Sequence, residues 1–289
     1  MRLTDINDIK RLLSRHGFRF SKSMGQNFLT AAWVPEDIAE AAEIDERTGV
    51  LEVGPGIGCL TEQLSMRAGR VLAVELDKAL KPVLEETLSG RDNVEFIFGD
   101  VLKLELASLV DEKLAGMRHV VCANLPYNET SPLITAFLEA GCFDTVTVMI
   151  QREVARRICA KPATSDYGAF TVLVNWYAEP ELLFDVQPHC FIPQPKVTSS
   201  VIRLRMRQTP PAEVKSNDMF FRVVRAAFGM RRKTLANALA AGFGEFSKET
   251  VEKIIADCGF GPKIRGETLE IGDFAKIADA FCEVSEKFL

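Results

Sequence analysis

Residues 50–68 read VLEVGPGIGCLTEQLSMRA. An apolar run, 50–53, is cut by Gly54, Gly56 and Gly58, which alternate with Pro55 and Ile57, and a helix-compatible stretch follows. A strand that passes through a glycine-rich turn into a helix is the opening unit of an α/β sheet. Glycine permits φ > 0 and lets the backbone approach a ligand closely. A dinucleotide fingerprint, G-x-G-x-x-G, would place its third glycine at position 59. Cys59 stands there instead. The spacing therefore suits a ligand without a pyrophosphate, or a tight β-to-α turn with no ligand at all.

Working outward, the same alternation continues. β-like runs occur at 70–75 (RVLAVE), 94–98 (VEFIF), 119–123 (HVVCA) and 144–150 (DTVTVMI), with segments such as KALKPVLEETL between them. Several runs are continuously apolar, as strands buried on both faces are. The pattern predicts an open, mostly parallel sheet whose ligands bind beyond the carboxyl ends of the strands. After about residue 176 two further runs, ELLFDV and SSVIRLRM, flank the proline-rich QPHCFIPQPKV. RQTPPAEVKS then reads as a linker, and four helical stretches follow it. The reading is a sheet domain over 1–208 and a small all-helical domain over 209–289.

The strand ends carry the chemistry. Glu75 closes the second run, and a carboxylate there can accept from both hydroxyls of a ribose. Gly99-Asp100 follows the third, where Asp100 can accept from an adenine amino group or cap a helix. The fourth run stops at Asn124-Leu125-Pro126-Tyr127. The Asn124 side-chain oxygen and the Leu125 carbonyl are suited to accept the two N–H groups of an exocyclic amine. Pro126 restricts the backbone before it. Tyr127 offers a face for an unstacked base, a contact worth about 1–3 kcal/mol. The plain alternative is a polar turn with a core tyrosine.

Composition bounds the function. The chain has 289 residues, 47% of them hydrophobic, enough for two domains of unequal size. No apolar run approaches the ~18 residues of a membrane span, and the N-terminus lacks the apolar core of a signal peptide, so a cytoplasmic protein is expected. Seven scattered cysteines without a CxxC, and three histidines far apart, argue against a disulfide framework and against a metal. The net charge is −5, but Arg2, Lys10, Arg11, Arg15, Arg19 and Lys22 crowd the N-terminus, and nine Lys and Arg face three acids between residues 201 and 246. Such runs are either solvated faces or phosphate contacts.

In order along the chain, KSMGQNFL (22–29), EVGPGIGCLT, VELD, GD, NLPY, FIPQPKVTSSVIRL and AAFGMRRKTLANAL resemble the KsgA-type ribosomal RNA adenine dimethyltransferases. The resemblance spans nearly the whole chain. It implies a Rossmann-like methyltransferase fold with a mostly parallel seven-stranded sheet and a helical C-terminal domain. It implies S-adenosylmethionine as cofactor, and 16S ribosomal RNA of the small subunit or its precursor as partner. Two neighbouring adenosines near the 3′ end of that RNA would become N6,N6-dimethyladenosine. By motif, Asn27, Leu29, Gly54, Glu75, Asp100 and Asn124 would hold the cofactor. Asn124, Leu125, Pro126 and Tyr127 would present the target amine, and Phe191 would complete a stacking sandwich with Tyr127 or serve as a core residue. Arg222, Arg225, Arg231, Arg232 and Lys233 would contact RNA phosphates. Glu129 places a negative charge just after this motif, as a paired acid or a helix-start residue. The competing readings are an Erm-type enzyme acting on 23S ribosomal RNA and a non-catalytic assembly factor on the same scaffold.

Overall fold

The boundaries of the strands follow the apolar runs. In the computed structural model, which describes residues 1–18 and 26–287, nine strands form: β1 (Phe28–Leu29), β2 (Thr48–Val53), β3 (Arg70–Glu75), β4 (Val94–Phe98), β5 (Arg118–Asn124), β6 (Thr145–Gln151), β7 (Ala178–Val186), β8 (Phe191–Ile192) and β9 (Ser199–Met206). Seven of them make one sheet in the order β4-β3-β2-β5-β6-β9-β7, and β1 pairs with β8. Strands β2 to β6 are mutually parallel, whereas β9 runs antiparallel to both β6 and β7. This is the mostly parallel seven-stranded sheet expected from the sequence. β2 and β6 are buried almost throughout and β5 over its four central residues, which is why they read as continuous rather than alternating apolar runs.

Between the strands come α1 (Ile6–Arg15), α2 (Trp33–Ala41), α3 (Cys59–Ser65), α4 (Lys81–Thr87), α5 (Leu106–Lys113) and α6 (Thr130–Ala140). The winding reverses between β2, followed by α3, and β5, followed by α6. A reversal opens a crevice beyond the carboxyl ends of the two strands. Gly54, Glu75, Gly99-Asp100 and Asn124 all fall at carboxyl ends of the adjacent strands β2, β3, β4 and β5.

The chain divides into two units, and the division differs from a cut at 208/209. One unit comprises Met1–Ala155 and Ala178–Met206; the other comprises Arg156–Tyr177 and Arg207–Leu289. Two further helices, α7 (Arg152–Ile158) and α8 (Ala169–Tyr177), lead into and through the inserted segment. They are followed by α9 (Asn217–Gly229), α10 (Leu235–Gly242), α11 (Lys248–Asp257) and α12 (Ile271–Lys287). The segment belongs to the helical unit for a physical reason: Tyr167, Val172 and Trp176 are buried in the core made by α9 to α12. The Trp176 ring stacks on Phe220 with centroids 4.1 Å apart. The Tyr167 hydroxyl donates to the Leu269 carbonyl at 2.8 Å. The apolar run AFTVLVNWY has no polar face to announce a helix, so its period is silent. Residues 207–216 form no helix or strand, as a linker should, and Ser216 caps α9 by accepting from the Met219 N–H.

Candidate functional site

Four strand ends and β1 close around a cavity of about 330 Å³, within the size range of small-molecule sites, about 300–1,000 Å³. Its lining includes Asn27, Leu29, Gly54, Glu75, Asp100, Asn124, Leu125, Pro126 and Tyr127, every one of which the sequence singles out. Lys22, Ser23, Met24 and Gly25 of the KSMGQNFL motif, and Arg19, lie outside the described residues.

The glycine turn is required by backbone geometry. Gly54 has φ +71°, and a Cβ built on it would meet no atom within 4 Å. The left-handed conformation excludes most side chains there, and the open space lets a ligand reach the backbone. Gly56 differs: its Cβ would come to 3.1 Å from the Phe28 ring, so a bare α-carbon is what lets β1 pack over the turn. Glu75 is buried and accepts from two backbone N–H groups, Gly56 at 3.1 Å and Asp77 at 2.8 Å. Burial raises its pKa, and these two bonds oppose the rise. Asp100 is both a lining residue and a cap. It lines the cavity, and it caps a short 3₁₀ turn by accepting from the Leu102 N–H at 3.1 Å.

Asn124 is the last residue of β5, paired with Met149 of β6. The ladder continues one residue further, because the Leu125 N–H donates to the Met149 carbonyl at 3.1 Å. The turn that follows is tied by the Pro126 carbonyl, which accepts from the Glu129 N–H and the Thr130 hydroxyl, both at 3.2 Å. Glu129 is thus a helix-start residue at the head of α6, and its carboxylate also lines the cavity. The Tyr127 hydroxyl is pinned to Ser199 Oγ at 2.6 Å, which holds the ring at the cavity wall. Nothing in the spelling of TSSV marks Ser199 for that task.

Of the two readings of Phe191, the structure shows the features of a core residue. Its ring is 2% exposed, it belongs to the core cluster, and it is absent from the cavity lining. It stands opposite Leu29 in the β1–β8 pair. That position makes Phe191 a core residue that anchors β1 and, through β1, Asn27 and Phe28 at the cavity.

Two acidic lining residues were given no role of their own in the sequence reading. Asp77 accepts from the Gln26 side chain at 2.7 Å and joins the glycine turn to the segment before β1. Glu52 sits inside β2, 1% exposed, and its Oε2 has no hydrogen-bond partner among the described residues. Burial pushes its carboxyl up to about 8, with the neighbouring Glu75 charge acting in the same direction. A lone acid inside an otherwise apolar run was the available signal. Together Glu52, Glu75, Asp77, Asp100 and Glu129 put five carboxyl groups on the wall, and no Lys, Arg or His among the described residues joins them. The lining is therefore acidic in composition.

The five basic residues expected to meet RNA sort into two classes. Arg222 makes a two-point ion pair with Glu245 at 2.7 and 2.9 Å and lies 4.1 Å from the Phe243 ring centre. Arg231 pairs with Glu267 at 3.2 Å and donates to the Thr164 and Ser165 carbonyls. Both are structural ties. Arg225, Arg232 and Lys233 are exposed, and no ion pair or side-chain hydrogen bond engages them among the described residues.

The family model described as ribosomal RNA adenine dimethylase matches residues 17–281. The chain belongs to that family. Relatives within the family include the ribosomal RNA small subunit methyltransferase A of Alkaliphilus oremlandii, 45% identical over 96% of this chain and 97% of its own length. The protein of the same name from Geobacillus kaustophilus is 46% identical over 96% of each chain. Among solved structures, the 23S rRNA methyltransferase ErmE is 29% identical with a TM-score of 0.66, covering 88% of this chain and 98% of its own. A dimethyladenosine transferase from Plasmodium falciparum superposes with a TM-score of 0.74 at 24% identity, covering 90% of this chain and 98% of its own, and shares the fold. No helix among the described residues of this dimethylase-family chain is long and apolar enough to cross a membrane.

Proposed function

We propose that the chain dimethylates N6 of two adjacent adenosines near the 3′ end of 16S ribosomal RNA, in the small subunit or its cytoplasmic precursor. The observation that carries the reading is the joining of two half-sites in one cavity: the glycine turn with its acids, and the Asn124–Tyr127 turn. The residues present fit S-adenosylmethionine. Gly54 opens the backbone to the amino-acid portion, Glu75 stands at the end of β3 for the ribose, and Asp100 stands beyond β4 for the adenine. The acidic wall matches a cofactor that carries positive charge. When bound, S-adenosylmethionine supplies an electrophilic methyl group on a sulfonium sulfur.

The chain's own residues supply positioning. The exocyclic nitrogen of adenine is a poor nucleophile, because its lone pair is delocalised into the ring. The Asn124 oxygen and the Leu125 carbonyl accept its two N–H groups and favour a pyramidal nitrogen. The Tyr127 ring, fixed through Ser199, receives the unstacked base. Alignment of the reacting atoms at about 3–3.5 Å is the main source of rate. The nitrogen becomes acidic on methylation, so no strong base is needed. Five acids next to an RNA substrate are tolerable if exposed cations elsewhere hold the phosphates. We assign that task to Arg225, Arg232 and Lys233, which are exposed.

The deciding experiment is transfer of labelled methyl from S-adenosylmethionine to small subunits that lack the modification, beside large subunits and fully modified small subunits. Two methyls on each of two adenosines in the first sample alone is the expected result. Transfer to 23S RNA instead would select the Erm-type reading, against which the 45% identity to small-subunit enzymes, compared with 29% to ErmE, already weighs. No transfer to either, with the cofactor bound, would select the assembly-factor reading. Replacing Arg225, Arg232 and Lys233 together with alanine should weaken particle binding and flatten its salt dependence, by a slope of about 2 for three lost phosphate contacts. Arg222→Ala should lower the melting temperature and leave that slope unchanged.

A further inference from the structure

The acceptor side of the cavity offers a base one ring. Among the described residues two aromatic side chains line the cavity, Phe28 and Tyr127. Phe28 lies against the glycine turn, where its ring faces Gly56. Tyr127 belongs to the turn after β5, beside Asn124 and Leu125. Its hydroxyl meets Ser199 Oγ at 2.6 Å, and neither hydroxyl makes another side-chain hydrogen bond among the described residues. Burial raises the Tyr127 phenol above its ordinary pKa, so the bond joins two neutral hydroxyls.

Ser199 is a rigid partner. It is fully buried, opens β9, and is paired with Gln151 of β6 on one side and Val186 of β7 on the other. β6 is also the strand whose Met149 carbonyl accepts from the Leu125 N–H. The far end of the Tyr127 ring is thus held from the sheet and not from its own turn.

The two methyl transfers make different demands on this ring. Each forms an N6–C bond as the sulfur–methyl bond breaks with its electron pair left on sulfur, and one N6 proton goes to water. The amine therefore enters the first transfer with two N–H groups and the second with one. The Asn124 oxygen and the Leu125 carbonyl are two acceptors, so in the second transfer one of them has no donor. The polar hold on the base is halved, and an acceptor without a partner in a closed site is a further cost. A methyl on the amine leaves the stacking face of the base intact, so a larger share of the positioning falls on the ring.

We propose that Ser199 is a positioning residue that acts through the Tyr127 hydroxyl and controls the second methyl transfer on each adenosine more than the first. The proposal rests on the cavity being the site of adenosine dimethylation, and it adds which of the two transfers depends on β9.

Single-turnover assays on small subunits that lack the modification test it, with N6-methyladenosine and N6,N6-dimethyladenosine separated after digestion and followed in time. Ser199→Ala should keep the first transfer within about threefold of wild type and slow the second about tenfold, the upper reach of one hydrogen bond between neutral groups, so that the monomethyl product accumulates. Tyr127→Phe keeps the ring, loses the hydroxyl and should give the same ratio of products. It decides the question by itself if Ser199→Ala does not fold. The double variant should be no slower than either single one, since both remove the same bond. Equal slowing of the two transfers, no change in either variant, or a double variant slowed by the product of the two single effects would overturn the role of Ser199. No methyl transfer by the wild type would overturn the dimethylation reading instead.

Discussion

Asn124→Ala should lose at least about 100-fold in methyl-transfer rate, the scale of one lost hydrogen bond to a reacting group, and keep much of its affinity for S-adenosylmethionine. The argument is local. Asn124 is paired with Met149 of β6, and the next residue, Leu125, donates its N–H to the Met149 carbonyl. Its backbone therefore has no freedom to re-aim the side chain, and its amide lines the cavity with no protein partner among the described residues. An acceptor held this way costs nothing to reorganise when the amine arrives. Alanine removes the acceptor and leaves the strand intact, so the loss should fall on single-turnover rate rather than on cofactor dissociation. Cofactor affinity should survive because Gly54, Glu75 and Asp100 are untouched. Near-normal turnover of the variant would remove Asn124 from the chemistry.

What the sequence made legible follows from the kind of signal each element carries. β3, β4 and β9 coincide with their apolar runs, and the remaining sheet strands extend theirs by one to three residues at an end or shift by one. Both-face burial leaves a run of Val, Leu and Ile that nothing else in a soluble domain requires. The strand-end residues were legible because a glycine triplet, two acids and Asn-Leu-Pro-Tyr occur at successive strand ends. Three things were not. Helix α8 has buried residues on most of its surface, so no polar stripe separates it from a strand and assigns it to the helical unit. Phe191 reads identically as a stacking ring or as a core ring, and only the β1–β8 register decides. Arg222 and Arg231 look the same in sequence as Arg225 and Arg232; their acidic partners, Glu245 and Glu267, lie 23 and 36 residues away. Pairing across such separations is a property of packing, not of local pattern.

Glu52→Gln should stabilise the ligand-free protein, increasingly so as pH rises. The Glu52 carboxyl titrates at an ordinary value of 4.5 when unfolded and is pushed up to about 8 in the fold. Below the lower value both states hold the proton, and the group's contribution is complete. Between the two values the unfolded chain ionises and the folded chain does not. Stability therefore falls by about 1.4 kcal/mol per pH unit and is down by about 4 kcal/mol near pH 8, beyond which it levels off. Glutamine has no proton to lose, so its curve lacks this slope. Denaturant unfolding at several pH values between about 5 and 8 measures the difference directly. The two proteins should converge at the acidic end and separate toward the alkaline end, with the variant above. Parallel curves would show that burial does not hold the Glu52 carboxyl neutral in the fold. The slope is the cost of a buried acid without a partner, which weakens the strand that carries it as soon as the unfolded chain can ionise.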